Sequence, residues 1–117
     1  MQILITGKNI ELTEALKKYA EEKFSALDKF FDKIIRADVV LSRDNHHQKG
    51  DVNYCECKLE IPGQDLFVSK DEPNMYKAID KVSDHLAEEL KKHKEKTRSV
   101  EKHKRESKRV NKEYHVK

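Results

Sequence analysis

The stretch 71–98 reads DEPNMYKAIDKVSDHLAEELKKHKEKTR, and the spacing of its apolar residues dictates how the rest of the chain has to pack. Met75, Ile79, Val82, Leu86 and Leu90 recur at intervals of four, three, four and four. At ~100° per residue that places all five on one narrow stripe of a helix, which must face a core. Pro73 is expected in the first helical turn, where its missing N–H costs nothing, with Asp71 and Glu72 beside the positive end of the helix dipole. Away from the apolar stripe, Lys77, Lys81, His85, Lys92 and Lys96 share about a third of the circumference, interrupted by Glu88. The helix therefore has a core side and a cationic side.

A helix with one apolar stripe needs a partner surface, and the segments before it supply one. Gln2 to Thr6, QILIT, reads as a short strand ended by Gly7, Lys8 and Asn9. Thr13 is the expected N-cap of a first helix, with Glu14 in its first turn. Leu16, Tyr19, Ala20, Leu27, Phe30 and Phe31 form that helix's apolar stripe, with Phe24 at its edge. Lys23 falls inside the stripe: either its alkyl stem covers apolar surface while the ammonium reaches water, or it lines a groove where a partner arrives.

Ile35 to Arg43 alternates, with Ile35, Ala37, Val39 and Leu41 inward and Arg36, Asp38 and Ser42 outward. The polar stretch 44–51, DNHHQKGD, is a long hairpin connection. Val52 to Ile61 alternates again, setting Cys55, Cys57, Leu59 and Ile61 opposite Tyr54, Glu56, Lys58 and Glu60. Pro62 and Gly63 turn the chain into a fourth strand, Gln64 to Lys70. The order β, α, β, β, β, α permits a parallel first pair and an antiparallel meander after it. Because every alternating strand has one polar face, both helices are expected on the other face. The expected fold is a two-layer α+β sandwich with a four-stranded sheet.

At 117 residues the chain has material for one small core. Its composition is 40% charged with no Trp, and its net charge is +3. The charge is unevenly spread: residues 91–117 hold 12 Lys and Arg against 4 Glu, whereas residues 1–90 hold 13 against 18 Asp and Glu. A basic end on a near-neutral to acidic domain suits contact with phosphate or another polyanion. The expected division is a domain over 1–98 and a flexible basic tail over 99–117, where Val100, Val110, Tyr114 and Val116 share no period. No signal peptide or membrane span is read at the start, which points to the cytoplasm.

Catalysis has little support, since there is no Gly-rich phosphate loop, no nucleophile elbow and no carboxylate pair the fold would bring into a cleft. The expectation is a protein without enzymatic activity or cofactor. His46, His47, Cys55 and Cys57 offer four potential zinc ligands. A C-x-C pair within a strand is not knuckle spacing, however, and it points both sulfurs at the core, so reduced buried thiols and solvated histidines are the simpler reading. The row of cations at helical spacing, with the basic tail beyond it, is better suited to following a nucleic-acid backbone. Asp84, Glu88, Glu89 and Glu95 are placed to blunt its field.

ITGKNIELTEALKKYAEEKF at 5–24, ALDKFFDKI at 26–34 and NMYKAIDKVSDHLAEELKKHKEK at 74–96 together resemble the bacterial ribosome hibernation-promoting factors and ribosome-associated translation inhibitors. The resemblance implies a stress or stationary-phase protein that occupies the decoding region of the small ribosomal subunit, excludes messenger and transfer RNA, and represses translation. The alternative is a general RNA-binding module not specific to ribosomes. The resemblance also implies a fold like a double-stranded-RNA-binding domain, a monomer off the ribosome, and contact with a separate ribosome-pairing factor. Carried onto this chain, the rRNA-facing cations are Lys23 and Lys29 in the first helical segment and Lys91, Lys92, Lys94 and Lys96 in the last helix. Lys77 and Lys81 are expected to compensate for His85 and Glu88, which stand where relatives often carry Lys and Arg. The resemblance is to the family's short form, expected without the long form's linker and second domain, and the tail is basic where the inhibitor branch tends to be acidic, so promotion or prevention of ribosome pairing stays open.

Overall fold

The computed structural model describes residues 1–44, 50 and 52–110, with side chains described as far as Glu95. The elements run β1 (Gln2–Lys8), α1 (Glu14–Ser25), a 3-10 turn (Ala26–Lys29), β2 (Arg36–Asp44), β3 (Val52–Ile61), β4 (Gln64–Glu72) and α2 (Met75–Val110). The sheet order is β1-β2-β3-β4. β1 lies parallel to β2, and β2–β3 and β3–β4 are antiparallel. The α+β class, the four-stranded mixed sheet and the two covering helices agree with the order read from the sequence.

Alternation explains the layering. Ala37, Val39 and Leu41 of β2, Cys55, Cys57, Leu59 and Ile61 of β3, and Val68 of β4 are buried with Leu16, Ala20, Phe24, Met75, Ile79, Val82, Leu86 and Leu90 of the helices. The intervening strand residues face out and pair among themselves. Arg36 donates to Asp38 at 2.7 Å, which raises the guanidinium pKa, and Lys58 lies 3.7 Å from Asp65. At the β3–β4 hairpin, Pro62 presets φ and Gly63 supplies φ +88°.

Several local expectations need correction. β4 continues to Glu72, so Asp71 and Glu72 are strand residues, not the start of α2. Asn74 caps α2 instead: its Oδ1 accepts from the Tyr76 N–H at 2.8 Å, and Pro73 precedes the cap. An Asn side chain satisfies one of the orphan donors at a helix start, which an upstream carboxylate cannot do while held in a sheet ladder. β1 likewise runs through Gly7 and Lys8, which pair with Leu41 and Ser42. A Cβ on Gly7 would stand 2.9 Å from Leu12 Cγ, because the chain folds Leu12 back over it.

Thr13 caps α1 as expected, its hydroxyl accepting from the Leu16 N–H at 3.2 Å. Phe24, expected at the edge of the stripe, is wholly buried. α1 tightens into the 3-10 turn at Ala26, so angular positions extrapolated at 100° per residue fail beyond that point. Ile35, expected to face inward, is 56% exposed. It precedes β2, where the pleat has not yet begun, and Ile34 is buried in its place.

The backbone of α2 is helical to Val110. The side chains of 96–110 and the whole of 111–117 lie outside the described residues, and with them most of the expected tail. His46, His47 and Asp51 also lie outside them.

Candidate functional site

α1 and α2 lie side by side on the sheet and meet along a polar seam. On α2 the seam residues are Tyr76, Asp80, Ser83, Ala87 and Lys91, at helical intervals of four, three, four and four. They form a second stripe beside the apolar one. The seam begins where the rings of Tyr19 and Tyr76 meet edge to face, 4.9 Å apart at 80°. Tyr19 donates its hydroxyl to Asp80 Oδ1, and Lys23 Nζ lies 3.2 Å from the same oxygen. Ser83 donates to the Lys23 carbonyl at 3.3 Å. At the far end, Lys91 Nζ sits 4.9 Å from the Phe30 ring centroid, within reach of the ring's negative face.

The Lys23 side chain is 38% exposed. It therefore neither simply covers the core with its stem nor stands free, but edges the inter-helix seam with Asp80 as its counter-ion. The hydrogen bond to Asp80, then partial burial, pushes the Tyr19 phenol up to about 12, because ionisation would place a second anion against a carboxylate.

The cations singled out in the sequence fall on two surfaces. Lys23 and Lys91 line the seam, with Lys29 exposed in the 3-10 turn between them. Lys94 is also exposed and lies on the same side of α2 as the seam by helical angle. Lys77, Lys81 and Lys92 lie roughly 80–140° further round α2 by the same geometry. There Lys81 pairs with Glu72 of β4, and Lys92 lies 3.7 Å from Glu89. Glu89 also stands 3.7 Å from His85 Nε2. Lys96 belongs to α2, but its side chain is outside the described residues. Glu89 thus blunts the outer flank as anticipated, whereas the pairings of Asp80 with Lys23 and of Glu72 with Lys81 join residues distant in sequence and had no local signal.

Among the described residues no group of three His, Cys, Asp or Glu is placed to hold a metal ion. Cys55 and Cys57 are reduced and buried under the helices. Burial pushes the Cys55 thiol up to about 12 and raises that of Cys57 further. No helix among the described residues is long and apolar enough to cross a membrane.

A concavity of about 460 Å³ opens at the start of α2, between the β1–α1 loop and the ends of β2 and β3. Arg43 and Tyr76 line it. The Arg43 Nε donates to Asn53 Oδ1 at 3.0 Å, and Asn53, itself buried, donates to the Pro73 carbonyl at 2.8 Å. Sequence reading passed over Arg43, Asn53, Tyr19, Tyr76 and Asp80. Only the two tyrosines carried a signal, Tyr19 in the apolar stripe of α1 and Tyr76 within the quoted MYKAID.

Comparison with known proteins agrees with this architecture. The family model described as Sigma 54 modulation protein / S30EA ribosomal protein matches residues 3–98. A Pseudomonas putida protein named ribosome hibernation promoting factor is 37% identical over 100 residues, covering 86% of this chain and 93% of the relative. One of the same name from Escherichia coli strain K12 is 38% identical over 96 residues, covering 82% and 96%. Among solved structures, the N-terminal domain of Thermus thermophilus Protein Y superposes with a TM-score of 0.69 at 32% identity, over 80% of this chain and 99% of that one. A ribosomal subunit interface protein from Coxiella burnetii, 21% identical, shares the fold with a TM-score of 0.71 over 80% of this chain and 98% of its own. The chain belongs to the Sigma 54 modulation protein / S30EA ribosomal protein family, as the three segments of its sequence that resemble the ribosome hibernation factors led one to expect.

Proposed function

We propose that this protein is a non-enzymatic ribosome hibernation factor of the cytoplasm. It binds the small ribosomal subunit at the decoding region, lies against rRNA with its helix layer, excludes messenger and transfer RNA, and represses translation in stress or stationary phase. The observation that carries this reading is the placement of Lys23 and Lys91 along one seam between the two helices, with Lys29 and Lys94 exposed beside it, in a chain with family relatives named for ribosome hibernation. Ammonium groups along a rigid seam neutralise successive phosphates and release counterions, which gives affinity without base reading. The outline likeness to a double-stranded-RNA-binding domain, the tail from Ser99 as a further cationic contact, a monomeric state off the ribosome and contact with a ribosome-pairing factor belong to the same proposal.

The test is co-sedimentation with vacant ribosomes and with isolated small subunits across a salt series. Binding at low salt that weakens steeply as salt rises is expected; protein left at the top of the gradient at low salt refutes the reading. Reversing Lys91, Lys92, Lys94 and Lys96 to Glu is expected to abolish inhibition of cell-free translation while leaving the fold intact. Displacement by messenger and initiator transfer RNA, but not by an equal mass of bulk duplex RNA, separates a ribosome factor from a general RNA-binding module.

A further inference from the structure

The geometry points to a nucleotide site at the start of α2, in which Tyr76 stacks a base of single-stranded RNA and Arg43 takes its phosphate. This rests on the reading that the helix layer meets RNA and goes beyond the lysine seam, which carries charge alone.

Tyr76 is 41% exposed, a large aromatic ring left open to solvent beside a fully buried apolar stripe. It is held in place all the same. Tyr19 braces it edge to face at 4.9 Å, and Tyr19 is in turn fixed by its hydrogen bond to Asp80. An exposed ring fixed by an orthogonal neighbour offers a preorganised platform for a π-face, the geometry that sequence-tolerant stacking of bases requires.

The same ring forms part of the wall of the 460 Å³ concavity, a volume suited to one nucleotide. Arg43 lines that concavity too. Its place is set through Asn53, which is buried and tied to the Pro73 carbonyl, so β2, β3 and the β4–α2 junction together position the guanidinium. Guanidinium is the side chain best matched to phosphate. Glu11 also contributes to the lining and would repel a phosphate. It therefore leaves the phosphate to Arg43 and offers its carboxylate as an acceptor for base-edge N–H groups. Along α2, Tyr76 and Lys91 are separated by ~22 Å, so a strand stacked at Tyr76 can continue along the seam past Lys23 to Lys91.

The test uses fluorescein-labelled hexa-adenylate and an abasic ribose-phosphate hexamer of equal charge, with binding followed by anisotropy. Tyr76→Ala is expected to weaken hexa-adenylate binding roughly tenfold or more and to leave the abasic oligomer unchanged. Tyr76→Phe keeps the ring and is expected to bind like wild type. Arg43→Gln is expected to lower the salt slope for both oligomers by about 0.7, the loss of one phosphate contact on a single strand. Thermal melts of each variant confirm the fold. Equal loss on both oligomers, no loss with Tyr76→Ala, or a Tyr76→Phe as weak as Tyr76→Ala overturns the proposal. Wild-type protein that co-sediments with ribosomes but ignores hexa-adenylate overturns the nucleotide site and leaves the ribosome reading standing; protein that binds neither removes both.

Discussion

Replacing Asp80 with Asn is expected to move stability and polyanion affinity in opposite directions. Asp80 holds two partners, the Tyr19 hydroxyl and, at 3.2 Å, Lys23 Nζ. Both members of the ion pair are 38% exposed, so solvent screens it to a few tenths of a kcal/mol, ~1 at most. A hydrogen bond to a charged acceptor contributes a net ~1.5–3 kcal/mol. At the half-exposed seam the lower end applies, and Asn keeps an acceptor that recovers about 0.5–1 kcal/mol of it. The net loss is therefore ~1–1.5 kcal/mol, which lowers the melting temperature of a domain of this size by about 4–12 °C.

The effect on binding runs the other way, because the same carboxylate partly neutralises Lys23. A phosphate resting on that ammonium lies ~7 Å from the Asp80 charge, a repulsion of ~0.6 kcal/mol even at the dielectric of water. Its removal tightens binding about threefold or more. Sedimentation with ribosomes over a salt series measures this directly, and calorimetry or circular dichroism measures the melt. The gain should shrink when Lys23→Gln is already present, since without the ammonium no phosphate is held ~7 Å from Asp80. A D80N protein that binds ribosomes more weakly than wild type, or that gains equally in the Lys23→Gln background, would refute the placement of Lys23 against RNA.

The other predictions concern the core and the buried titrating groups. Phe24→Ala removes a wholly buried ring at the junction of α1, α2 and the sheet and is expected to cost ~3–5 kcal/mol, read from urea midpoints; a loss under ~1 kcal/mol would return Phe24 to the edge of the stripe. Tyr19 titrates near 12, above its ordinary value of 10.0. Its contribution to stability is thus fully present below pH 10 and fades as pH rises from there towards 12. One tyrosinate absorbance step should therefore come late, and Asp80→Asn should bring it down; four coincident steps would contradict the hydrogen bond. Cys55 and Cys57, both under the helices, are expected to resist thiol reagents in the native protein and to react together on unfolding, so rapid native labelling would contradict the packing.

The elements were legible because their signals are local. A 3.6-residue period around Ile79 and Leu86 and a two-residue period through Cys55 and Leu59 report burial on one face of a helix or strand, and the order of such segments nearly determines the topology. Misreadings occurred where a neighbour in space overrode the local signal. Glu72 looked like a helix-opening acid but is held in the β4 ladder, and Phe24 looked marginal until the docking of α1 buried it completely.

The site divides along the same line. Sequence alone established that α2 has a core stripe beside a cationic flank, and that Lys23 sits oddly in the stripe of α1. It could not say which side of α2 would meet α1, because that depends on how two stripes dock on one sheet face rather than on the period of either. Only the tertiary structure set Lys23 and Lys91 on the seam and paired Lys81 with Glu72 on the other flank. Only it brought Asp80 to Lys23 and Tyr19 to Tyr76 across more than fifty residues of chain. Charge pattern is one-dimensional, whereas the field a phosphate meets is set by side chains that packing brings together.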